Sequence, residues 1–181
     1  ENVILSAPTS FGKSLIIDAI IATGRFQHVA IVVPTIALID ETRRRLARRF
    51  GQQYKIITHP SQERGTPELL VMTQERMLDV KPLAPIDFFV IDEFYKLQPR
   101  HEDTDRSLIL NEAFYRLHKT GAQFYLLGPN IDSIGNLPTR ITCRFIKTDY
   151  KTVVSQLHRV DPGDDDVEQL VQLCKGLHDP T

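Results

Sequence analysis

Two short clusters in this chain carry residue types suited to handling a phosphate group. The first is Gly12-Lys13-Ser14, which follows the apolar run Val3-Ile4-Leu5 and the loop from Ser6 to Phe11. A lysine supplies a positive charge to phosphate oxygens, and a serine offers its hydroxyl to Mg2+. A glycine lets the backbone come close. If the loop joins a strand to a helix, backbone N–H groups converge on the same oxygens. The strict form of such a loop opens on glycine, but here Ala7 holds that position and Ser10 replaces a second common glycine. The triplet alone therefore reads equally as a loop lysine beside a helix cap.

The second cluster is Asp92-Glu93, directly after Phe88-Phe89-Val90-Ile91. It puts two carboxylates at the C-terminal end of a buried strand, where ligands of open α/β sheets gather. Asp92 would hold Mg2+, usually through water, and Glu93 would orient and deprotonate an attacking water. Taken alone, the pair is a strand end with solvated acids. Taken with the upstream loop, it reads as a site that hydrolyses a nucleoside triphosphate. A nucleotide kinase is the competing chemistry. It must keep water from the terminal phosphate, and a glutamate beside the metal-binding aspartate suits hydrolysis instead.

These residues need a scaffold, and the hydrophobic pattern supplies one. Short apolar runs at residues 3–5, 28–33, 54–58, 68–72, 88–91, 123–127 and 141–147 predict seven strands. Helical spacing predicts helices at about 14–22 and 37–50, a short one from Thr73, and a long one ending near Lys119. Gly24, Gly51 and Gly121 are placed to stop three of them. Strands apolar throughout and separated by helices predict an α/β fold with a parallel sheet covered on both faces. The acidic stretch Asp161–Asp166 then breaks the pattern. Residues 167–177 read as a further amphipathic helix, with Val167, Leu170, Val171, Leu173, Cys174 and Leu177 at helical spacing.

Composition narrows the classes. The chain has 181 residues, enough for one domain with a sizeable core. Its net charge of -1 announces neither a nucleic-acid nor a membrane partner, so any such contact needs a local surface. Cys143 and Cys174 form no metal-type spacing, which predicts a reduced, cytoplasmic setting. No apolar run reaches the length of a membrane span. The immediate entry into an apolar strand at Val3 predicts a piece of a longer protein.

Together these motifs resemble the first RecA-like domain of a superfamily 2 helicase of the DEAD/DEAH-box type. The stretch Ser6–Ser14 is similar to motif I, which in that family begins with alanine. Val32–Glu41 resembles motif Ia, Thr73–Met77 motif Ib, and Val90–Leu97 motif II. The resemblance implies a RecA-like P-loop NTPase fold over residues 1–148. Residues 149–181 would be a linker and the first helix of a second RecA-like domain. It implies ATP and Mg2+ as cofactors, with Ala7, Pro8, Thr9, Ser10, Phe11, Gly12, Lys13, Ser14 and Asp92 around the nucleotide. Ser14 and Asp92 would hold the metal, and Lys13 and Glu93 would be catalytic. The second domain would supply an arginine finger, so this chain alone is expected to turn over slowly.

The resemblance further implies an ATP-dependent helicase or translocase acting on RNA or DNA. Pro34, Thr35, Thr73 and Gln74 would touch the nucleic-acid backbone. Equally, Pro34 and Thr35 could simply end a strand, and Thr73 could cap a helix. Three departures from the family pattern stand out, and the first of them keeps open an alternative, a helicase-like nucleotide- or nucleic-acid-binding module without unwinding. Leu127-Gly128-Pro129-Asn130 stands where Ser-Ala-Thr is usual, Phe94 and Tyr95 follow Glu93, and Ile36 takes the place of an arginine. The arginine-rich stretch Thr42–Phe50 is read as a solvated helix face. Asp40 and Glu41 would pair with Arg44 and Arg45, and Ile39, Leu46, Ala47 and Phe50 would face the core.

Overall fold

Each strand of this protein feeds two cores at once. In the run from Val29 to Val32, Val29 and Ile31 point to one face and Ala30 and Val32 to the other, as the two-residue period of a strand requires. The same division holds for Leu69 and Val71 against Leu70 and Met72, and for Phe88 and Val90 against Phe89 and Ile91. That is why the sequence runs are apolar throughout rather than alternating.

A computed structural model describes residues 1–8, 11–83, 85–99, 104–129, 131–133 and 141–150. In chain order the elements are β1 (Val3–Ser6), α1 (Lys13–Ala22), β2 (His28–Val32), α2 (Ile36–Phe50), β3 (Lys55–Ile57), β4 (Glu68–Met72), α3 (Gln74–Asp79), β5 (Phe88–Asp92), a single 3-10 turn (Phe94–Leu97), α4 (Thr104–Lys119), β6 (Gln123–Gly128) and β7 (Arg144–Lys147). Among the described residues the strands form one seven-stranded sheet in the order β3-β4-β2-β5-β6-β1-β7. Every pairing is parallel. The α/β fold read from the sequence is therefore the observed one. The helix expected over residues 167–177 lies outside the described residues.

One face packs on α1 and α2, burying Ile17, Ile21, Ile39, Leu46 and Phe50. The other packs on α3 and α4, burying Met77, Leu110 and Leu117. The buried stripe of α2 departs from the sequence reading at one position. Thr42 is buried and Ala47 is exposed, so Ala47 does not mark the core side.

Because all strands run the same way, their C-terminal ends share one edge. The loops after β1, β2, β4, β5 and β6 leave from that edge, and they carry the residues whose chemistry the sequence singled out. Among the described residues no helix is long and apolar enough to cross a membrane.

Candidate active site

The sheet register brings the two clusters together. Leu127 in β6 pairs with Leu5 of β1 on one side and with Asp92 of β5 on the other. The start of the phosphate loop and the first acid are thus two strand spacings apart, about 10 Å. Ser6 locks the loop's base to the far side of β6. Its hydroxyl donates to the Ile131 carbonyl at 2.8 Å and accepts from the Ile131 N–H at 2.6 Å. The Ala7 N–H donates to the Gly128 carbonyl at 2.9 Å.

Gly12 has φ 84 and ψ 37, the left-handed conformation that favours glycine, and it forms the N-terminal cap of α1. The sequence places its glycine where the chain turns into the helix. Lys13 extends back along the loop, and its ammonium donates to the carbonyls of Ala7 and Pro8 at 3.2 and 3.3 Å. Ser14 is exposed in the first turn of α1. Phe11 packs edge-on to Tyr150, with ring centroids 6.3 Å apart, so it anchors the loop toward β7. Thr9 and Ser10 lie outside the described residues.

Glu93 is the only non-glycine with positive φ among the described residues, at φ 58 and ψ 43. That conformation is strained for a side chain, and such strain collects where a site needs a particular orientation. Its N–H donates to Asp92 Oδ1 at 3.0 Å, and its carboxylate pairs with Lys96. Sequence reasoning missed Lys96, although its spacing three residues beyond Glu93 in a helical turn is a usable signal.

The charges act on one another. Burial pushes the Asp92 carboxyl above its ordinary range, and the Glu93 charge adds to this. The Glu93 N–H and the charges of Lys13 and Lys96 oppose it. Burial lowers Lys13, against the pull of Asp92 and Glu93. Each cluster therefore feels the other's field. The donor set is also right for a small hard cation, with a carboxylate and a hydroxyl close to a phosphate cradle. Among the described residues no group of three or more His, Cys, Asp or Glu forms a metal cluster. A cation here would share its coordination with phosphate and water.

The residues expected at the nucleic acid sit differently. Pro34 is buried, and its carbonyl accepts from Arg106 at 2.7 Å. The Thr35 hydroxyl caps α2, accepting from the Leu38 N–H at 3.3 Å. Thr73 precedes α3 without a side-chain capping bond, and Thr73 and Gln74 are both buried. Ile36 is exposed, an apolar residue at the rim.

The family model for DEAD/DEAH box helicases matches residues 1–125 of this chain. The chain belongs to the DEAD/DEAH box helicase family. Anti-bacteriophage protein B of Escherichia coli (strain K12) is 46% identical to it over 163 residues, covering 84% of this chain. The chain spans 22% of that relative's length. The crystal structure of the Pyrococcus furiosus Hef helicase domain is similar in fold, with a TM-score of 0.53 at 15% identity. That match covers 81% of this chain and 34% of the other. In family terms, the loop from Ser6 to Ser14 and the pair Asp92-Glu93 fall in the matched segment, on the sheet edge described above.

Proposed function

We propose that this chain is the ATP-binding first domain of a nucleic-acid motor, hydrolysing ATP with Mg2+ to move on or remodel RNA or DNA. The observation that carries the reading is the convergence of Lys13, Asp92 and Glu93 on one sheet edge, close enough for each cluster to shift the other's titration. Gly12 and the helix N-terminus of α1 would receive the phosphates, with Lys13 turned from the Ala7 and Pro8 carbonyls toward them. Ser14 and Asp92 would hold Mg2+, which neutralises charge on the phosphates when bound. Glu93 would take a proton from the attacking water, and Lys96 would hold its carboxylate in place until then. A second RecA-like domain would complete the cleft, so the isolated chain is expected to hydrolyse ATP slowly. The Escherichia coli relative is named as an anti-bacteriophage protein, and we carry a role in phage defence to the full-length protein.

The test is Glu93→Gln in the full-length protein. Nucleic-acid-stimulated ATPase should fall by about a hundredfold or more, the usual contribution of a general base, while ATP binding persists. Turnover within a factor of about two of the wild type would remove Glu93 from its role.

A second reading, a module that binds nucleotide or nucleic acid without unwinding, has one observation in its favour. Gly128 ends β6 and Pro129 follows it, where hydroxyl side chains are usual, and Phe94 packs against that strand end. Strand displacement measured beside ATPase separates the two. Hydrolysis without displacement would select the second reading.

A further inference from the structure

A cavity of about 200 Å³ opens at the same sheet edge, away from the phosphate loop. It lies where β4, β2 and β5 end, whereas the loop leaves β1 on the other side of β6. β2 and β1 are three strand spacings apart, about 14 Å. Asp92 is the shared wall between the cavity and the nucleotide site.

Gln74 is the unusual member of the lining. The residue borders the cavity, yet it is only 5% exposed. Among the described residues no partner holds its amide, whereas Arg76, two residues on, donates to the Thr58 carbonyl at 3.1 Å. An amide at the wall of a cavity can pair with a group that enters it. A residue this enclosed cannot reach a backbone that merely crosses the surface. It meets only what enters the cavity.

The remaining lining narrows the chemistry. Val33 and Leu110 offer apolar surface. Arg106 and Lys96 border the same space, and both are partly exposed. Arg106 is held in position by the Pro34 carbonyl at 2.7 Å and by Glu75 at 3.4 Å. The space thus combines an apolar slot, an amide with donor and acceptor side by side, and two cations.

We propose that this cavity receives one unstacked nucleobase of the bound strand, read through Gln74. A glutamine amide complements the paired donor and acceptor on a base edge, with adenine as its best match. The apolar walls accept the ring faces, and the cations suit the flanking phosphate. The volume suits a single base rather than a stack of them. The inference rests on the nucleic-acid reading above and adds to it a base contact where the resemblance implies only backbone contacts.

The experiment compares short single strands of equal length, built from adenine, from cytosine, or from abasic residues, bound to the full-length protein with ATP analogue present. Wild type should prefer adenine over abasic strands by about tenfold or more, as a bidentate amide contact allows. Gln74→Leu should remove most of that preference. Gln74→Glu, which can only accept, should move the preference from adenine toward cytosine. Equal binding of adenine and abasic strands would overturn the base pocket and leave a water-filled cavity, with the motor reading intact. An adenine preference unchanged in both Gln74 variants would also overturn it. Failure to bind any strand would remove the nucleic-acid reading itself.

Discussion

Gly128 lacks a side chain at a point where Phe94 fills the space. A β-carbon there would come within 2.9 and 3.0 Å of the Phe94 ring and within 3.3 Å of Ile131. Phe94 is 7% exposed and packed into the core, so its ring has little room to retreat. Gly128→Ala should therefore destabilise the protein by about 1–3 kcal/mol, the usual cost of overpacking. Phe94→Leu combined with Gly128→Ala should recover most of it. Urea unfolding of the single and double variants checks this, and additive losses would mean the two residues are not in contact. The sequence displays both residues, yet as two unrelated departures from the family pattern. They are one contact. Pattern matching compares each position with an expected residue type, and it carries no information on which two positions trade volume across a fold. The left-handed backbone at Glu93 was equally hidden, because its residue type shows chemistry but not strain.

At the scale of elements, the helix that carries the phosphate loop depends on its neighbour. Asp18 in α1 is 4% exposed and pairs with both Arg45 and Arg49 of α2, the latter at 2.6 Å. Arg45 also donates to the Ser14 carbonyl at 3.0 Å, so it reaches the first turn of α1. The sequence reading of α2 found the right helix and a mainly charged outer face. It misassigned one partner, because near neighbours along one helix are visible in sequence and partners on another helix are not. Asp40 takes Arg43 and Arg44, while Arg45 crosses to Asp18 instead of pairing with Glu41. The side-chain exposures, 23% for Arg45 and 49% for Arg49, rank the two contacts. Arg45→Met should cost about 3 kcal/mol by leaving Asp18 buried and undercompensated. Arg49→Met should cost about 1 kcal/mol or less, as for a largely solvated pair. Thermal unfolding measures both, and the order Arg49 above Arg45 would contradict the ranking. ATP affinity should weaken in Arg45→Met alone, since only Arg45 touches the backbone of Ser14.

The whole molecule divides its polar work between the two ends of the parallel sheet. The C-terminal edge carries the loops of the candidate site, and the opposite edge carries a buried ion cluster with no part in it. There Glu68, at the start of β4 and 0% exposed, accepts from the Gly65 N–H at 2.8 Å and from Arg64 at 2.6 Å, and meets His28 at 3.1 Å. Arg64 in turn donates to the carbonyls of Pro82, Leu83 and Pro85 at 3.0, 3.4 and 3.3 Å, which ties the loop before β5 to this edge. Burial would raise the Glu68 carboxyl, but the bonds from Arg64, Gly65 and His28 outweigh it and hold the group below the ordinary range. A carboxylate depressed in the folded state contributes stability that is present above its unfolded value, about 4.3. That contribution is lost as pH falls through the lower folded value. Wild type should therefore lose stability steeply on acidification over that interval, and Glu68→Gln should start lower at neutral pH and fall less steeply. Urea midpoints taken along a pH series give both slopes, and parallel curves would show that Glu68 does not govern the acid limb. The affinity for ATP at neutral pH should stay at the wild-type value in Glu68→Gln, because the length of the strands separates this cluster from Lys13, Asp92 and Glu93.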